Sequence, residues 1–298
     1  MSSTEPVYEA IGITRQAIWK WKQRSEAKAE QTDRIIQEVK RWRQKHPKMG
    51  SRPMYYSMKC EGIALGVGVN QFEQIIRDHH LVIGKARSRK PKCSDGKGKE
   101  DYPNLTNGLE LTGTNQLIVL DITYIWITTR WCYIFSLKDV YSQWIILTPS
   151  ESLEAKHAAT CLDDFVKLRG PLSVRGCIHH TDNGSQYNCG KYKDKLAGYG
   201  ILISRSTQCK ENGSSEQSHH VSKNMYLEPL GLKTFAQLKK ACKDFMYKNN
   251  YKRAIKQLGW KTPFQFEESI KGIPEELRPK KKMHDFSAQE KVGGFGEA

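Results

Sequence analysis

Apolar residues change their period near residue 116. Before that point they recur at helical spacing, with Ile35, Ile36, Val39 and Trp42 forming one stripe and Phe72, Ile75 and Ile76 another. Thr14 is placed to cap a short basic helix running to about residue 24 and carrying Trp19 and Trp21. Asp33 is expected to cap the next helix, which Pro47 and Gly50 end. A further helix is predicted over 53–60, and after the glycine-rich turn at 62–68, Asn70 is expected to cap another.

Beyond residue 116 the texture is β-branched and aromatic. The runs 116–125, 131–137 and 143–148 are separated by short polar turns and predict three adjacent antiparallel strands. Ser152 is expected to cap a helix to about Leu168, with Ala155, Ala158, Ala159, Leu162, Phe165 and Val166 on its apolar face. A buried strand at 174–180, a helix near 190–198, a strand at 200–205 and a long basic helical stretch from about 214 complete a mixed α/β pattern. Between the two textures, residues 84–100 combine Gly, Pro and Ser with a dense basic run. The resulting division is a helical region at 1–83, a basic linker at 84–112, an α/β core at 113–270 and a basic flexible tail at 271–298.

Charge narrows the partners. Lys and Arg number 48 against 32 Asp and Glu, a net charge of +16, and such a surface attracts polyanions by counterion release. Three short helices in a basic setting suit a DNA-binding head, with Arg15, Lys20 and Lys22 as its candidate contacts and Arg87, Arg89 and Lys90 continuing them along the linker. Tyr247, Lys248 and Arg253 interleave ring and charge in a way that suits a nucleic-acid backbone. No apolar run reaches the roughly 18 residues of a membrane span, and the polar start lacks secretory features, so a cytoplasmic, nucleoid-associated location is expected. The 8 cysteines form no Cys-x-x-Cys pair, and no structural zinc is expected from them and the paired histidines.

Three carboxylates stand where this layout can bring them together. Asp121 lies inside the first strand, where an acid is costly to bury unless it is paired or binds a cation. Asp182 follows the 174–180 strand, at the kind of strand end where ligands collect. Glu216 opens the late helical stretch. Phosphodiester chemistry wants such acids, because two metal ions can activate the attacking oxygen and stabilise the leaving one. Asp139, also at a strand end, is read as structural, and the pair His179 and His180 is read as at least half committed to the core. Lys223, seven residues after Glu216, is expected on the same helical face as a phosphate contact.

Leu-Asp-Ile-Thr-Tyr-Ile (120–125) and His-His-Thr-Asp-Asn-Gly-Ser-Gln-Tyr (179–187) resemble the two aspartate motifs of the DDE transposases of bacterial insertion sequences, specifically those encoded as the second of two overlapping reading frames. Glu-Asn-Gly-Ser-Ser-Glu (211–216) with Lys223 and Asn224 is similar to that family's stretch around its glutamate, although Gly213 replaces the usual alanine and Met225 a common acid. Glu211 therefore stays open as the third acid. Asp139-Val140-Tyr141-Ser142, Tyr247 to Arg253, Thr262-Pro263 and the segment 33–83 extend the resemblance over nearly the whole chain.

The resemblance implies an RNase H-like integrase core behind a helix-turn-helix-like head. It implies Mg²⁺, with Mn²⁺ able to substitute, held by Asp121, Asp182 and Glu216. It implies cleavage at element ends and strand transfer by a 3′-hydroxyl. The partners implied are double-stranded DNA as element ends and target, further copies of the chain on that DNA, and an upstream-frame protein, with no membrane. Two rivals remain: a catalytically inactive DNA-binding derivative of a transposase, and an RNase H-like metal nuclease that cuts without joining.

Overall fold

The computed structural model describes residues 12–84, 102–128, 130–206 and 219–285. The chain divides into two compact units, Met1–Gly84 and Lys85–Ala298.

In the first unit Thr14 caps as expected, its hydroxyl accepting from the Ala17 N–H at 3.2 Å. The helix it opens, α1 (Arg15–Lys45), does not stop near residue 24. Residues 25–32 contain no glycine or proline and are mostly good helix formers, so nothing interrupts the winding and Asp33 lies inside the helix. Only the second half of α1 reaches a core, through Ile35, Val39 and Trp42; residues 21–30 are all exposed. These three pack with Met54 and Met58 of α2 (Ser51–Cys60) and Phe72 and Ile76 of α3 (Val69–Asp78). Burial of each such side chain contributes roughly 1.5–3 kcal/mol. Gly68, not Asn70, precedes α3; Asn70 sits in its first turn and accepts from Arg52 at 3.3 Å.

The second unit is built on a five-stranded sheet. β2 (Leu117–Ile127), β3 (Arg130–Asp139) and β4 (Ile145–Ser150) are antiparallel neighbours, as the three runs predict. β5 (Ile178–Thr181) then pairs parallel to β2, and β6 (Leu202–Arg205) parallel to β5, giving the order β4-β3-β2-β5-β6. This is the mixed α/β arrangement that the sequence leads one to expect. β5 is shorter than the 174–180 run because Gly176 takes φ +78 and its N–H turns to Gly200, which leaves Val174 and Cys177 buried but outside the strand.

Side-chain alternation sends the two faces of β2 to different partners. Ile118 and Leu120 pack with Phe135 and Leu137 under α4 (Ala155–Arg169) and α5 (Gly190–Gly198). Ile125 and Ile127 pack on the other side against Tyr226, Leu227 and the buried stripe of α6 (Phe235–Tyr251). α4 starts after Glu154 and not at Ser152, whose hydroxyl instead donates to the Glu154 carboxylate at 2.9 Å. The helical stretch expected from 214 is not one helix in its described part: a π-helix (His220–Leu227) and a 3-10 turn (Glu228–Leu230) end at Gly231, with φ +57, before α6 begins.

Residues at both expected boundaries join this unit. β1 (Glu110–Leu111), from the expected linker, pairs with β7 (Lys281–Lys282), from the expected flexible tail. Leu111 is fully buried with Phe266 and Ile270 of α7 (Pro263–Ile270), and the Tyr141 hydroxyl donates to the Pro279 carbonyl at 2.8 Å. Among the described residues no helix is long and apolar enough to cross a membrane.

Candidate active site

Strand register brings the two aspartates together. β2 and β5 are paired Leu117 with Ile178, Ile118 with His179 and Val119 with His180. Carried two residues further, the same register would bring Asp121 level with Asp182, which lies one residue past the end of β5. Their charges converge on the same rings: burial first, and then both aspartates, hold the Tyr187 hydroxyl well above its ordinary pKa. Burial, Tyr133, Asp182 and Asp121 together raise that of Tyr124.

The Asp182 turn is tightly made. Its Oδ1 accepts from the Gly184 N–H at 3.0 Å, and a Cβ on Gly184 would stand only 3.0 Å from that oxygen and from Gln186 Oε1. Behind the turn lies Arg205, 1% exposed, which donates to Thr181 Oγ1 at 2.7 Å and to the Tyr187 carbonyl at 3.0 Å. Its guanidinium also stands over the rings of Tyr102 and Tyr187. A buried arginine closing the short strand Leu202–Arg205 is the signal that sequence reasoning passed over.

On the other side of Asp121 stands His219, with Nδ1 3.5 Å from Asp121 Oδ2. Burial, helped by the Lys223 charge, pushes its pKa down to about 4, so the ring is neutral near pH 7. His219 Nε2 and the Tyr187 hydroxyl are buried with no hydrogen-bond partner among the described residues. The π-helix that follows His219 is a form enriched at functional sites. Hard carboxylate oxygens from two strands suit a divalent cation such as Mg²⁺. Among the described residues no group of three or more His, Cys, Asp and Glu is placed to hold a metal, and both Glu216 and Glu211 lie outside the described residues.

The other expected site residues scatter. Arg15, Lys20 and Lys22 lie on the exposed half of α1, and Arg87, Arg89 and Lys90 lie outside the described residues. The π winding carries Lys223 towards Glu228, 3.8 Å away. Lys248 is turned inward, bonded to the Tyr226 hydroxyl, 4.8 Å above its ring and 3.8 Å from Asp244. Arg253 donates to Asn249 at 3.3 Å, and burial lowers its pKa to about 10. His179 and His180 are both buried, bonded to the Tyr192 and Ser204 hydroxyls at 3.0 and 2.9 Å, so neither faces the carboxylates. Asp139 is structural: it accepts from the Asn115 N–H, the Ser142 N–H and the Ser142 hydroxyl.

Comparison with known proteins finds similar chains and one matching family. Residues 112–210 match the integrase core domain family. The chain is 27% identical to the insertion element IS600 uncharacterized 31 kDa protein of Shigella sonnei, over 72% of this chain and 80% of that one. It is 26% identical to the transposase for insertion sequence element IS629 of Shigella sonnei, over 52% of each. It is 28% identical to the transposase for insertion sequence element IS904 of Lactococcus lactis, over 55% of this chain and 66% of the other. Solved structures similar to it include the HTLV-2 integrase catalytic core domain in complex with magnesium, at 16% identity and TM-score 0.43, covering 52% of this chain and 97% of that one.

Proposed function

We propose that the chain is a DDE transposase of a bacterial insertion sequence, a reading supported by its integrase-core match and its transposase relatives, and that Asp121, Asp182 and Glu216 form its catalytic acid set. Its function is DNA transposition. The observation that supports the acid set best is the β2–β5 register, whose continuation by two residues would bring the two carboxylates level at the end of a parallel ladder.

Asp121 and Asp182 would hold Mg²⁺ or Mn²⁺ together with Glu216, whose assignment rests on its sequence motif. Such ions supply charge stabilisation at both the attacking and the leaving oxygen of an in-line displacement. The protein's own contribution is position. Arg205 pins the turn that carries Asp182, the Gly184 N–H holds one of its oxygens, and His219 flanks Asp121 as a neutral neighbour. Lys223, 26% exposed in its side chain, would leave Glu228 for a phosphate of the bound DNA. Water is the nucleophile in the first cut, and the freed 3′-hydroxyl is the nucleophile in strand transfer. Arg15, Lys20, Lys22 and the linker residues Arg87, Arg89 and Lys90 would hold flanking duplex through its phosphates. Further copies of the chain and an upstream-frame protein would complete the assembly on paired ends.

The test is nicking and joining of a plasmid carrying the element ends in Mg²⁺ or Mn²⁺ by the purified chain, beside Asp121→Asn, Asp182→Asn and Glu216→Gln. Metal-dependent nicking and joining lost in all three supports the reading. A silent glutamate change moves the third role to Glu211, cleavage without joining makes the protein a nuclease, and equal nicking by all variants rejects the acid set.

A further inference from the structure

The β2–β3 hairpin carries an aromatic row on one face. Tyr124 pairs directly across the ladder with Tyr133, and Trp126 with Trp131. Ring centroids lie 5.2 Å apart in the first pair, 5.1 Å in the second and 6.5 Å between Tyr124 and Trp131, all at steep angles. Tyr124, Trp126 and Trp131 remain 47%, 52% and 52% exposed. Rings of this size dominate apolar burial wherever they are covered, so three left this open beside one another form an unpartnered surface. Edge-to-face pairs occupy one ring's face with another's edge, which leaves outer faces bare for a flat partner.

The position of the row points to that partner. It begins at Tyr124, whose phenol lies near enough to Asp121 and Asp182 for both charges to act on it, and residues two apart on a strand advance it outward in steps of about 7 Å. A DNA strand held at Asp121 would run close to Tyr124, three residues along β2, and unpaired bases stack on aromatic side chains without sequence preference. We propose that Tyr124, Trp126 and Trp131 form a stacking platform for unpaired nucleobases next to the scissile phosphate. The inference rests on the reading of Asp121 and Asp182 as the DNA-processing site. It adds a distinction between frayed and fully paired DNA that the acids do not make.

Anisotropy titration of labelled single-stranded and duplex oligodeoxynucleotides of equal length, with the full chain in chelator, tests it apart from the chemistry. Trp126→Leu and Trp131→Leu should each weaken single-strand binding about tenfold while changing duplex binding by less than about twofold. Trp126→Phe, which keeps a ring, should retain most of the affinity. Both indoles are half exposed, and matching melting curves confirm that the variants are folded. Unchanged single-strand binding, equal losses on both DNA forms, or a change of oligomeric state with single-strand affinity intact would each overturn the platform, the last assigning the rings to contact between copies. If the nicking test fails while ring-dependent single-strand binding persists, the catalytic reading falls and the platform stands.

Discussion

Asp121 and Asp139 lie on paired strands of one ladder, a few rungs apart, in opposite surroundings. Asp139 is fully buried and accepts from two backbone N–H groups and a hydroxyl at 2.7–3.0 Å, so its oxygens are consumed by the protein. Asp121 keeps 21% of its side chain exposed and meets the N–H of its own neighbour, Ile122, and an imidazole at 3.5 Å. A carboxylate whose donors all come from the fold is a structural acid. One that keeps part of its side chain open to solvent is better suited to a cation and a substrate.

The largest expected effect follows directly. Asp121→Asn should reduce nicking at least a thousandfold, about 4 kcal/mol of lost transition-state stabilisation, while moving the melting temperature by less than about 3 °C. A large stability loss with little loss of rate would reverse the roles of the two acids. Asp139→Ala should do the opposite, costing about 3–5 kcal/mol in urea denaturation because it leaves buried donors unanswered; a cost below about 1 kcal/mol breaks the comparison. Arg205→Met should cost about 2–3 kcal/mol and also slow nicking, since the turn holding Asp182 loses its anchor. A variant that is destabilised yet nicks at the full rate would confine Arg205 to the core.

The smallest effect concerns Lys138, beside Asp139 in the chain and fully buried. Burial, with Lys281 and Arg253, lowers its pKa from 10.5 to about 7. Between those values the unfolded chain holds the extra proton, so rising pH favours the folded state, by at most about 1.4 kcal/mol per pH unit. The cost of the buried charge is fully present below pH 7. Lys138→Met should flatten this rise between pH 7 and 10.5 and raise stability near pH 7 by about 1–3 kcal/mol. A slope unchanged by the substitution places the titrating group elsewhere.

Much of this was legible in the residues. Three apolar runs separated by polar turns predict β2, β3 and β4, and Asp121 and Asp182 are marked by their motifs and by their places in or after strands. What was not legible depends on contacts distant in sequence. Asp33 and Ser152 are good caps by composition, but capping requires the chain to break there, and helix-forming neighbours or a later start moved the helix ends. The tail looked like solvated charge because its pairing partner, Glu110–Leu111, lies far back in the sequence. Lys248 and Arg253 read as DNA contacts because a sequence shows charge without showing that Tyr226 and Asn249 already answer it. The aromatic row was visible as period-two Tyr124 and Trp126, yet its exposure was not, since strand aromatics are usually core.

The parallel pairing of β2 with β5 makes the spacing of the two aspartates an address and not a distance. Side chains alternate faces along a strand, so a one-residue insertion between Ile178 and Asp182 would either send that carboxylate to the opposite side of the sheet or force a bulge. Insertions in the turn between β3 and β4 leave the address untouched. Length variation among related chains should therefore be tolerated around the hairpins and barred from the few residues that count from Leu117 to Asp121 and from Ile178 to Asp182.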